Sequence, residues 1–208
     1  MSNENTTKKP FYKKWWFYVT VIIVIISIVR DGKKSSSSSL QSDSSGKSPK
    51  AAAPNMQLPL EEQKFVDIVQ KAQKDASKAS NDMAKGGVLA IRSKNLKELE
   101  TSVQNWFGRV VKIGSNSDGK GVLSIEVASD VTICTWNNAL SDIGDKTLIE
   151  PGSDLFNTAA ALRKGQKVKF SGRFISDDET GFSEQSLSLD GKIKDPEFTF
   201  KFSSIEGL

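Results

Sequence analysis

The residues best suited to chemistry fall in one stretch, Trp136-Asn137-Asn138 followed by Ser141 and Asp142. Trp136 offers an aromatic plate for a sugar ring or a base. Asn137 and Asn138 pair donors with acceptors, and Asp142 brings a charge for a cation or a hydroxyl. The same residue types also build turns, because Asn and Asp side chains bond their own backbone a few residues on. Trp136 could equally fill the end of a β-barrel. Binding and structural readings both stand at this point.

Catalysis has little to draw on. The 208 residues include no His and a single Cys, Cys134. That removes Ser-His-Asp and Cys-His nucleophile systems together with His metal sites. Cys134 lies in a predicted strand and reads as a small buried hydrophobe. Paired carboxylates need only Asp and Glu, and the densest sets are Asp142/Asp145 and Asp177-Asp178-Glu179. Neither has the alternating D-x-D-x-D-G spacing of a calcium loop. No catalytic residue, metal site or cofactor is assigned, and the chain is read as a non-enzyme.

A basic strip remains. Lys167, Lys169 and Arg173 alternate on one face of a predicted strand, with Arg109 and Lys112 on another. Nucleic-acid grooves interleave such cations with aromatics. Here Phe170 and Phe174 take the opposite face and read as core, and edge-strand lysines also block aggregation. Charge distribution argues the same way. Residues 1–50 carry nine Lys/Arg against three Asp/Glu, whereas residues 101–208 carry twelve against fifteen. The formal net charge of +4 therefore belongs to the N-terminal end, and the acidic C-terminal half disfavours nucleic acid.

The elements that must position these residues follow from periodicity. Asn105–Ile113 and Gly121–Ala128 alternate apolar with polar and are joined through Asp118-Gly119, a hairpin signal. Val131–Trp136 is a third strand. A long loop, Asn137–Ser153, leads to a short helix over Asp154–Arg163, capped by Ser153 or Asp154. Gln166–Ile175 and Glu197–Ile205 complete the strands, with an optional edge strand at Ser183–Leu189 before a turn at Asp190-Gly191. Upstream, a helix begins near Leu58-Pro59. Phe65, Val69, Ala72, Ala76, Ala79 and Met83 form its stripe, and Gly86-Gly87 stop it. That stripe reads as packing on its own domain, with a coiled-coil seam as the rival. Val88–Leu99 is a second short helix or a strand–helix junction.

The N-terminal quarter is organised around Trp15–Val29, WWFYVTVIIVIISIV, between Lys13-Lys14 and Arg30. Ten of its residues are Ile, Val or Phe, favouring insertion by about 3 to 6 kcal/mol. At about 1.5 Å per residue it spans about 22 Å, and snorkelling lysines with an aromatic belt can close the gap to a bilayer core of about 30 Å. An uncleaved signal-anchor is expected, with a cleaved signal peptide as the rival. The basic residues ahead of the run place the N-terminus in the cytoplasm and the rest outside. The Ser-rich segment that follows is too poor in apolar residues to fold and reads as a disordered tether, with a glycosylated stalk as the alternative. The expected organisation is a basic tail at 1–14, a transmembrane signal-anchor at 15–30, a linker at 31–57, a helical segment at 58–100 and a β-barrel domain at 101–208.

Three strands, a helix and two strands is the order of an OB-fold, a five-stranded Greek-key barrel. The chain also resembles a bacterial family of membrane-anchored or secreted OB-fold-like domains without an assigned activity, similar to the tRNA-anticodon-binding-like group. The matching stretches are WFGRVVKI, TWNNALSDIGDKTLIEPGSDLF, GQKVKFSGRF and DPEFTFKFSSI, within residues 60–208. The N-terminal KKPFYKKWWFYV is similar to the anchors of Gram-positive surface proteins. The resemblance implies a fold and a location but no catalytic residues. The expectation is a mainly β protein with added helices: an OB-like barrel preceded by a long helix and an N-terminal transmembrane helix. Its role would be extracellular binding of a protein or an envelope polymer; the alternative is an oligonucleotide- or oligosaccharide-binding domain.

Overall fold

The computed structural model describes residues 58–208, a mixed α/β fold of one five-stranded sheet and several helices. Residues 1–57, and with them the expected tail, anchor and linker, lie outside the described residues. Among the described residues no helix is long and apolar enough to cross a membrane. The chain begins with helices α1 (Leu60–Ala76) and α2 (Asp82–Leu96). Strands β1 (Ser102–Ser115), β2 (Gly121–Ala128) and β3 (Val131–Cys134) follow, then helix α3 (Asp154–Ala161) and strand β4 (Lys167–Phe174). A two-stranded ribbon, β5 (Ser176–Asp177) with β6 (Gly181–Phe182), and helix α4 (Leu189–Lys194) lead into β7 (Glu197–Gly207).

The sheet closes on itself in the order β1-β2-β3-β7-β4, antiparallel except where β3 runs parallel to β7. Closure demands tight bends, and glycine supplies two of them. A Cβ at Gly108 would press on Ile125 and come within 2.8 Å of the Glu126 carbonyl oxygen. One at Gly172 would collide with the Lys201 carbonyl oxygen and the Phe200 ring.

The alternation puts Val168, Phe170 and Phe174 inside, with Phe198, Phe200 and Phe202 from β7. Both barrel ends are stoppered. At one, Phe65 of α1 inserts among Trp106, Phe174, Phe182 and Phe198, with ring centroids 5.0 to 6.2 Å away. At the other, where β2 starts and β7 ends, Phe156 of α3 and the following Leu162 pack beside Gly121 and Gly207. Burial of this order, at about 25 cal/mol per Å² of apolar surface, is the main stabilising term.

Three expectations are corrected. The helix ahead of the barrel does not run on to Gly86-Gly87. It ends at Ala76, and α2 starts at Asp82 with the Asn81 side chain accepting from the Ala84 N–H at 2.9 Å. Gly86 and Gly87 lie inside α2, where a Cβ at either would meet nothing within 4 Å. A helix tolerates such glycines at about 1 kcal/mol each when a good cap stands upstream. The apolar stripe correspondingly holds only for Phe65, Val69, Ala72 and Ala76; Met83 is 89% exposed. Of the two readings of Val88–Leu99, the second helix holds, since the segment is largely the C-terminal part of α2. Finally, Ser183–Leu189 is not a strand beyond one isolated bridge, Glu184 to Phe198, and Asp190-Gly191 sits within α4, whose cap is Ser188.

Candidate functional site

The loop between β3 and α3 is held from within by one carboxylate. Asp142 Oδ1 accepts from the Thr147 N–H at 2.6 Å and the Thr147 hydroxyl at 2.7 Å, and Oδ2 accepts from the Leu148 N–H at 3.1 Å. Thr147 Oγ1 in turn accepts from the Trp136 N–H at 2.8 Å. The indole Nε1 donates to Asp145 Oδ2 at 2.7 Å. Backbone groups that loop geometry would otherwise bury unpaired are thereby satisfied. Beneath the loop, Thr135 pairs with Leu123 through backbone and hydroxyl, and Gln185 donates to the Thr135 carbonyl at 3.0 Å.

These distances divide the five sequence-selected residues. Asp142 is buried, and both its oxygens are occupied by loop donors, so its charge works inward. Trp136 is half-buried with its nitrogen committed to Asp145, leaving part of the ring facing solvent. Asn137, Asn138 and Ser141 are exposed and bond mainly one another: Asn138 donates to Asn137 Oδ1 and Ser141 Oγ and accepts from the Ser141 N–H. The loop thus brings Trp136 and the Asn pair to the surface and withdraws Asp142.

Two residues that the sequence reading passed over stand out here. Leu140 is 80% exposed and Ile143 72% exposed, both on the loop's outer side. Their signal was present as two large aliphatics three residues apart in an otherwise polar loop. Thr147, the hub joining Asp142 to Trp136, carried no such signal.

Elsewhere the chemistry is quiet. Burial pushes the Cys134 thiol up to about 12, and Sγ faces the Phe198 carbonyl, so the thiol stays protonated and inert. Asp177 Oδ1 accepts from Thr180 N–H and hydroxyl and from the Glu179 N–H. These bonds hold its carboxyl below the usual range and explain the acidic run as turn chemistry. Among the described residues no three His, Cys, Asp or Glu side chains gather as metal ligands. The basic strip is partly neutralised: Arg109 pairs with Glu126 and Lys169 with Glu206.

Two buried carboxylates belong to the packing. Glu62 of α1 is fully buried, accepts from the Phe107 N–H at 3.0 Å, and is pushed up to about 7 by burial. Glu184 is bonded to Arg92 of α2 in a pair with almost no exposure, and Arg92 also donates to the Lys192 carbonyl. Burial lowers the guanidinium and raises the carboxyl from their ordinary values, against the mutual attraction of the pair. No protein-family model matches the chain, and no curated protein is recognisably similar to it.

Proposed function

We propose that residues 101–208 form an OB-like Greek-key barrel, preceded by the helical segment 58–100 and serving as a non-catalytic binding domain, presented outside the cell membrane by the Trp15–Val29 anchor with the N-terminus in the cytoplasm. The observation that carries this reading is the strand order β1-β2-β3-β7-β4 with a helix between the third and fourth barrel strands. That is the OB plan, which binds through its second and third strands and adjoining loops. The same order supports the resemblance to the bacterial membrane-anchored and secreted OB-like family.

The β3–α3 loop supplies the contact surface. Exposed Leu140 and Ile143 beside the half-buried Trp136 ring favour a protein partner first and an envelope polymer second. With both barrel ends filled by aromatic and aliphatic side chains, the interior has no role as a ligand cavity. The rival reading, an oligonucleotide- or oligosaccharide-binding domain, draws on the exposed Asn137, Asn138 and Ser141 next to Trp136.

Two assays on the full chain test these readings. Protease added to intact cells or protoplasts should remove the barrel while sparing the first residues; full protection would reverse the orientation. In neutral detergent, replacing Trp136 and Asn138 with Ala should leave low-salt behaviour on single-stranded DNA unchanged. Retention that falls steeply with salt and is lost in that variant would establish the nucleic-acid rival, which draws on the loop.

A further inference from the structure

We propose that the outer groove where β1, β4 and β7 meet binds a phosphate monoester or phosphodiester between Arg173 and Lys201. No residue of the β3–α3 loop lines it, and it does not depend on the reading above. Sheet register sets Ser102, Arg173 and Lys201 in one row across the three strands. Arg173 and Lys201 are direct cross-strand partners, and like charges so placed repel. Among the described residues neither makes an ion pair, although the neighbouring cation on β4, Lys169, reaches Glu206 at 2.8 Å. Two opposed, unneutralised cations on an acidic barrel are what a bound anion would relieve.

The groove between them measures about 350 Å³, and no acidic residue lines it. Ser102, Ser171, Ser203 and Gln104 add neutral donors along its walls. It is shaped by irregularities in both ladders, between Val103 and Trp106 and between Ser171 and Gly172. Asn105, at φ 57°, donates its N–H to Ser171 Oγ at 3.0 Å, which leaves the serine proton for an acceptor in the groove. A guanidinium fork, an ammonium and several hydroxyls offer more donors than a planar carboxylate can accept, and they suit the several oxygens of a phosphoryl group.

The full chain in neutral detergent, melted at low salt and titrated with inorganic phosphate, tests this. Wild-type protein should show a saturable rise in melting temperature. Lys201→Met and Arg173→Met keep the aliphatic stems and remove one charge each. Each should need at least about tenfold more phosphate, and should melt at or above wild type without phosphate because the repulsion is gone. Lys169→Met, two register pairs beyond the groove's Ser171 on β4, should leave the phosphate response intact. An absent or non-saturable shift would overturn the proposal, as would responses unchanged in both variants, or both melting below wild type in phosphate-free buffer. The source of the phosphate is read separately in nanodiscs. Loss of the shift in phosphatidylglycerol but not phosphatidylcholine discs assigns a lipid headgroup. Saturation by soluble glycerophosphoglycerol, with no difference between the discs, assigns a free or polymer-borne phosphodiester.

Discussion

Asp142 and Glu62 are both acidic and buried, yet they do opposite work. Asp142 gathers three donors from its own loop. Replacing it with Ala strands the Thr147 and Leu148 N–H groups, so Asp142→Ala should cost about 2 to 4 kcal/mol in urea unfolding. Glu62 has one backbone donor and otherwise apolar surroundings, and its second oxygen has no partner. Its folded value of about 7 lies above the ordinary 4.5, so the native state prefers the protonated form. The resulting stability is full below about pH 4.5, declines as pH rises toward 7 and is gone above it, a loss on the order of 3 kcal/mol. The Glu62→Gln variant should flatten that part of the pH–stability profile and exceed wild type at pH 8. The sequence pointed to Asp142 as a residue of consequence but gave no means of knowing which way its oxygens turn. Glu62 was invisible, because its burial depends on Phe65 entering the barrel end and its one donor, the Phe107 N–H, lies 45 residues on.

At the level of elements, alternation was the reliable guide. The bounds of β2 could be read directly, and β1, β4 and β7 to within a few residues, because each carries an alternating apolar set that lines the closed sheet, although the first half of β2 is buried on both faces. What failed was local punctuation. Gly86-Gly87 looked like a terminator, whereas the break is made by Asn81. If the cap matters and the glycines do not, Asn81→Ala should cost about 1 kcal/mol, while Gly86→Ala and Gly87→Ala should each stabilise by about 0.5 to 1 kcal/mol. Chemical denaturation of the three variants decides it. The docking of α2 against the β6 segment rests on the Arg92–Glu184 pair, which local sequence could not disclose across ninety residues. Arg92→Leu alone should cost about 3 to 5 kcal/mol, and the double replacement Arg92→Leu/Glu184→Leu should recover most of that.

Across the whole molecule, charge and topology divide the labour. The basic excess sits in the first fifty residues, outside the described part, and the barrel is acidic. The closed sheet is filled at both ends, which is why the proposed contacts are placed on its surface. Its fold was legible because strand order and helix position are carried by periodicity. The proposed contact surface was not, because the exposure of Leu140 and Ile143 arises only once Asp142 has folded the loop beneath them. The most direct test places a photo-crosslinking amino acid at Leu140, Ile143 or Leu187 in the full chain, expressed in its own membrane. Leu187 is 96% exposed but lies outside the β3–α3 loop, and so serves as the control. Positions 140 and 143 should each give a discrete light-dependent adduct and position 187 none. No adduct from the loop, or the same adducts from all three positions, would overturn the loop as the contact surface.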